Sequence, residues 1–189
     1  MTKRAADSPI PDKPEDPFPL VTDHCDIIGG FGRGSAELGI PTANIAVNQL
    51  TKAINDLELG VYFGFAQLRP VDHEDDVFTR ENGGKVLINY GRYLNRQNGD
   101  LDPLPVVLSV GKNPFYGNDF KTVELHIIHQ FKDSFYGAQV RFSILGHIRP
   151  ELNYTTKEAL IEDINVDIST ALQALDKDGF KVYRFQLAE

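Results

Sequence analysis

Apolar and polar residues alternate with a period of two over much of the chain. Between Gln139 and Ile144, the residues Val140, Phe142 and Ile144 fall on one face and Gln139, Arg141 and Ser143 on the other, as in a half-buried strand. Comparable segments run from Val21 to Ile28, Gly60 to Leu68, Val106 to Val110, Val123 to Phe131 and Lys181 to Leu187, separated by Gly, Pro, Asn or Asp clusters. Most of their connections are too short for a crossover helix, so antiparallel pairing is expected, and closing the sheet would remove its exposed edges. The period changes once. From Thr156 to Leu175, the residues Leu160, Ile164, Ile168, Ala171 and Leu175 form one helical stripe, with Thr155 and Glu158 as a capping pair and Gly179 just past the end. This helix is expected to pack over the barrel.

Two stretches depart from these patterns. Residues 1–19 carry Pro9, Pro11, Pro14, Pro17 and Pro19 among Lys, Asp and Glu, which predicts a flexible leader ahead of a single domain at 20–189. The polar segment 69–105 contains His73-Glu74-Asp75-Asp76, Asn82-Gly83-Gly84 and Asn98-Gly99-Asp100, signals of turns and solvated loops, with one short strand at Lys85 to Tyr90.

A net charge of −8 over 189 residues leaves no broad cationic surface for a nucleic-acid backbone or an anionic membrane, so a phosphate-bearing ligand must be met locally. The one cysteine, Cys25, cannot form an intrachain disulfide or a thiolate zinc site, and no apolar run reaches bilayer length. A cytoplasmic monomer without nucleic-acid or membrane partners is the expectation.

The chemistry concentrates between Gly29 and Asn44. Gly30, Gly32 and Gly34 flank Arg33 and Ser35; such a loop can turn backbone amides toward a phosphate beside a planar cation, or it can be a ligand-free glycine turn. It is not a Walker loop, because no lysine occurs there, and Pro41 leaves no room for the helix of a dinucleotide fold. Thr42 and Asn44 share a face of an extended segment, where their neutral oxygens suit a hard cation such as Mg²⁺ or form an ordinary Asx or ST turn. Downstream, Val123, Leu125 and Ile127 share one face and Glu124 and His126 the other; Glu124 is either a proton acceptor in a cleft or a solvent-facing strand residue.

In order and spacing, GFGRGSAELGIPTAN from Gly30, SVGKNP from Ser109, VELHIIHQFKDSFYG from Val123 and GHIRPE from Gly146 resemble the riboflavin kinases, or flavokinases, of the monofunctional eukaryotic type. The resemblance implies a mainly β fold, a six-stranded antiparallel Greek-key barrel with a long C-terminal helix. It implies transfer of the γ-phosphoryl group of Mg-ATP to the ribityl 5′-hydroxyl of riboflavin, giving FMN and ADP. In that family the threonine and asparagine of PTAN hold Mg²⁺ and nucleotide phosphates, which here are Thr42 and Asn44; Zn²⁺ and Mn²⁺ are alternative metals. Gly30, Gly32, Gly34 and Ser35 would line the nucleotide, and Arg33 and Glu124 would be catalytic. Ile127, His129 and Tyr136 would contact the flavin, joined by Arg149 from a mobile loop. Two features depart from the family: Ala36 stands where relatives often carry lysine, and the 69–105 insertion is long. Only about twenty residues precede Val21, so no fused adenylyltransferase is expected and the reaction stops at FMN. The competing reading is a non-catalytic flavin- or nucleotide-binding barrel, which would not need Thr42, Asn44 and Glu124 together; an interaction module built on the acidic segments is a third.

Overall fold

The computed structural model describes residues 8–28, 42–45, 47–79, 83–112, 121–152 and 154–187. Its strands are β1 (Leu20–Val21), β2 (Cys25–Ile28), β3 (Thr42–Ile45), β4 (Gly60–Arg69), β5 (Asp76–Thr79), β6 (Lys85–Ile88), β7 (Leu104–Lys112), β8 (Lys121–Ile127), β9 (Gln139–Ile144) and β10 (Gly146–Pro150). The ladder β9-β2-β3-β8-β7-β4 closes when β4 pairs again with β9, giving a six-stranded antiparallel barrel; β1 and β10 add at its margins, and β5 and β6 form a separate hairpin. Gly64 permits this closure, since any Cβ there would collide with the Ser143 carbonyl of β9.

Alternation fills the barrel. Ala43, Ile45, Val106, Leu108, Val110, Val123, Leu125, Ile127, Val140, Phe142 and Ile144 all point into one core. A second core lies outside the wall, where Val61, Phe63, Phe65 and Val107 meet α2 (Lys157–Leu175), α3 (Asp178–Lys181) and α4 (Tyr183–Leu187); α1 (Lys52–Asn55) is a single turn before β4. Phe63 and Phe180 are fully buried with ring centroids 5.3 Å apart, edge to face. Burial of each ring is worth about 1.5–3 kcal/mol.

Several expectations are corrected. Lys181–Leu187, read as a strand from its β-branched and aromatic residues, is helical, because Phe180, Tyr183 and Leu187 follow helical spacing and seat on the outer wall. The N-cap of α2 is Thr156, whose hydroxyl accepts from the Ala159 N–H at 3.1 Å, rather than Thr155. That helix ends at Leu175 as the stripe predicts, with Asp176 at its C-cap, and Gly179 lies in α3. The strand beginning at Val123 ends at Ile127, before Phe131. Residues 8–19 do not hang free: the Ser8 N–H donates to the Ile148 carbonyl, Lys177 donates to the carbonyls of Ile10 and Pro11, and Ile10 and Phe18 pack against the two cores. The 69–105 segment is more ordered than its polarity implied, carrying the β5–β6 hairpin and the buried residues Asn89 and Asp100.

Antiparallel order decides which connections meet. At one mouth of the barrel β2, β8 and β4 end while β3, β9 and β7 begin. The connections 128–138 and 70–103 therefore both leave from and return to that mouth, where β2 also ends and β3 begins, although these stretches are scattered along the sequence.

Candidate active site

The β3–β8 register sets Asn44 opposite Glu124 and Thr42 opposite His126, and the β7–β8 register sets Ser109 opposite Glu124 on the other side. Opposed residues in an antiparallel pair share a face with Cβ atoms about 4.5–5.5 Å apart. Asn44, Glu124 and Ser109 thus form one polar row on the outer barrel surface, and Thr42 and His126 lie in the adjacent row toward the mouth. Separations of some 80 residues along the chain collapse to neighbouring positions. The loop residues Gly30, Gly32, Arg33, Gly34 and Ser35 lie outside the described residues, but the chain enters β3 at Thr42 from that segment.

Glu124 keeps 37% of its side chain exposed, and its carboxylate lies 3.9 Å from His126 Nε2. His126 is much less exposed. Burial pushes its pKa below the ordinary histidine value, and attraction to Glu124 only partly opposes this. The imidazole is therefore neutral at physiological pH and leaves Glu124 without a cationic partner in the row. His126 Nδ1 is buried with no hydrogen-bond partner among the described residues. Neither Ser109 nor His126 was marked by the sequence as part of a site; alternation fixes the face of each, but only the register shows what stands beside it.

The residues expected at the flavin separate into two groups. Ile127 is the last ladder residue of β8 and points into the barrel core. His129 lies two residues beyond, at the mouth, with Nε2 2.8 Å from Asp100 Oδ1 and its ring edge-on to Phe131 at 4.7 Å. Tyr136 is part-buried in the same connection, its carbonyl accepting from the Tyr90 N–H at 2.9 Å. Arg149 is elsewhere. It sits in β10 rather than in a loop, only 3% exposed, with Nε and Nη2 donating to the two oxygens of Asp167 on α2 at 2.9 Å each. Its Nη1 donates to the Pro150 carbonyl, and its guanidinium lies 5.7 Å from the Tyr154 ring centre. A fork committed in this way pins the helix to the barrel.

Among the described residues no group of three or more His, Cys, Asp or Glu is arranged to hold a metal ion, and no helix is long and apolar enough to cross a membrane. The hydroxyl and amide oxygens of Thr42 and Asn44 are nevertheless donors suited to a hard divalent cation.

A family model described as riboflavin kinase matches residues 22–175. Riboflavin kinase of Saccharomyces cerevisiae is 67% identical over 186 residues, covering 98% of this chain and 85% of the relative, and that of Candida glabrata is 59% identical with 99% of each covered. The crystal structure of riboflavin kinase from Trypanosoma brucei shares the fold, with a TM-score of 0.59 at 21% identity, over 91% of this chain and 87% of that one. The chain belongs to the riboflavin kinase family.

Proposed function

We propose that the protein transfers the γ-phosphoryl group of ATP to the 5′-hydroxyl of riboflavin, forming FMN and ADP. Family membership over most of the chain supports the reaction, and the observation that carries its placement is the row in which Asn44 faces Glu124 across β3 and β8. Transfer between two oxygens asks little covalent work of a protein; it asks for alignment and for charge to be met where it develops. Glu124, half-exposed and facing a neutral imidazole, accepts the hydroxyl proton as the oxygen attacks. Thr42 and Asn44 are the residues that would hold Mg²⁺, which when bound neutralises phosphate charge. Gly30, Gly32, Gly34 and Ser35 would supply amides and a hydroxyl to the nucleotide, with Arg33 countering charge on the transferring group. His129 and Tyr136 would bound the riboflavin at the same mouth, whereas Ile127, expected beside the flavin, is buried in the barrel core and offers its side chain to no ligand.

The activity is tested by incubating the purified protein with riboflavin, ATP and Mg²⁺ and separating the flavins by chromatography. FMN should appear in step with ADP; bound riboflavin with ATP intact would favour a sequestering barrel. Thr42→Ala removes one proposed metal ligand, so the Mg²⁺ concentration for half-maximal rate should rise several-fold while riboflavin KM holds. An unaltered Mg²⁺ dependence would remove Thr42 from that role.

A further inference from the structure

We infer that residues 8–19 are a strap that locks the C-terminal helices to the barrel and opens as a unit of its own, with Ser8 on β10 as its latch and Gly179 on α3 as its seat. The latch lies beside the start of β4, whereas the mouth that holds the candidate active site lies at the end of that strand, so the strap acts apart from the reaction.

The latch follows from an extra residue in β10. His147 lies opposite Tyr62 and Arg149 opposite Val61, so Ile148 between them has no partner on β4 and forms a bulge. Ile148 is fully buried, and a buried residue outside the ladder needs its carbonyl met from elsewhere. The Ser8 N–H meets it at 2.7 Å, and Ser8 Oγ lies 2.6 Å from His147 Nδ1. Among the described residues β10 pairs with β4 alone, so Ser8 also covers part of an edge that would otherwise stand open to another chain.

At the seat, the strap's backbone lies directly against α3. A Cβ at Gly179 would come 2.1 Å from the Asp12 carbonyl oxygen and 3.0 Å from Lys13 Cβ. Alanine serves a helix better than glycine, so α3 by itself gives no reason for Gly179; the approach of the strap does. Lys177, the N-cap of α3, donates to the carbonyls of Ile10 and Pro11 at 3.3 and 3.4 Å and stands 3.8 Å from the Asp12 carboxylate. Ile10 packs against the outer core, and Phe18 sets its ring edge-on to Tyr62 at 6.0 Å. These are point anchors. Five of the twelve residues from Ser8 to Pro19 are prolines, which bring no N–H to a ladder, and none of the twelve is fully buried. A half-exposed segment held at points belongs to the parts of a fold that open locally, at less cost than global unfolding.

Native-state amide exchange of the full-length protein, followed by NMR, reads the opening at both ends of the strap: at Ser8 and at Phe18, whose N–H donates to the Glu15 carbonyl at 2.9 Å. Gly179→Ala favours α3 in isolation but pushes the strap off its seat, so exchange at Ser8 and Phe18 should rise together by about ten-fold or more, as overpacking a fitted contact does. Ser8→Ala keeps the N–H and removes the hydroxyl; exchange at position 8 and at Phe18 should rise alike, by roughly five-fold for one lost hydrogen bond. Amides of β4, β7 and β8 should keep their protection in both variants. Acceleration confined to the mutated end would show separate contacts rather than a unit, and equal acceleration in β4, β7 and β8 would make strap opening the same event as global unfolding. Unchanged exchange at Ser8 in Gly179→Ala would remove the seat. Each of these results overturns the inference. Should Gly179→Ala fail to fold, the parent protein decides: Ser8 and Phe18 should exchange with one shared denaturant dependence, faster than β8 and slower than an unstructured chain, and exchange of Ser8 at the unstructured rate would overturn the strap.

Discussion

Glu124→Gln should lower kcat for FMN formation by about 10²–10⁴-fold, the range supplied by a positioned general base. The amide keeps the shape of the carboxylate opposite Asn44 and Ser109 but cannot accept the hydroxyl proton. KM for ATP should change little, since nucleotide recognition is assigned to the glycine-rich segment and to Thr42 and Asn44. His126 offers no substitute through the existing geometry: its Nε2 is 3.9 Å from the carboxylate and its burial favours the neutral ring. Steady-state rates at saturating riboflavin and ATP, with a thermal melt as a folding control, make the comparison. A kcat equal to that of the parent would take the proton-acceptor role away from Glu124.

The largest effect on stability should come from Arg149→Ala. The guanidinium and Asp167 are buried together, and removing one partner strands the other charge in the interior, which costs about 3–5 kcal/mol. With roughly 2–4 °C lost per kcal/mol in a chain of this size, the thermal midpoint should fall by about 6–20 °C. An apolar replacement of both residues, such as Arg149→Met with Asp167→Leu, should recover much of that loss, because no uncompensated charge remains. Differential scanning calorimetry at constant ionic strength reads both. A fall of less than about 2 °C for the single variant would show that the pair contributes little to anchoring α2.

How much of this could be read from the residues follows from the range of the forces involved. The period-two pattern of β9 and the helical stripe from Leu160 to Leu175 are local, and both elements form where the pattern puts them. Alternation likewise told that Thr42 and Asn44 share a face, and that Glu124 and His126 share another. It could not tell that those two faces adjoin, because strand pairing is set by the closed barrel as a whole rather than by either segment. Lys181–Leu187 shows local preference losing to tertiary packing: its Val, Tyr and Phe favour a strand, but the outer wall accepts Phe180, Tyr183 and Leu187 at helical intervals. Arg149 is the converse case. The family resemblance implies a mobile loop for it, and only the arrival of Asp167 from α2 explains why a charge can be buried there. The polar insertion misled for a related reason, since its Asn and Asp side chains are spent on backbone groups and on His129 rather than on solvent.

The most direct test of the account is a crystal structure of the Glu124→Gln protein with riboflavin, Mg²⁺ and a non-hydrolysable ATP analogue. The account predicts the ribityl 5′-hydroxyl within hydrogen-bond reach of position 124, the terminal phosphate of the analogue between that hydroxyl and the side chains of Thr42 and Asn44, and the isoalloxazine ring beside His129. Flavin or nucleotide bound at the opposite mouth of the barrel, away from the β3–β8 row, would contradict it.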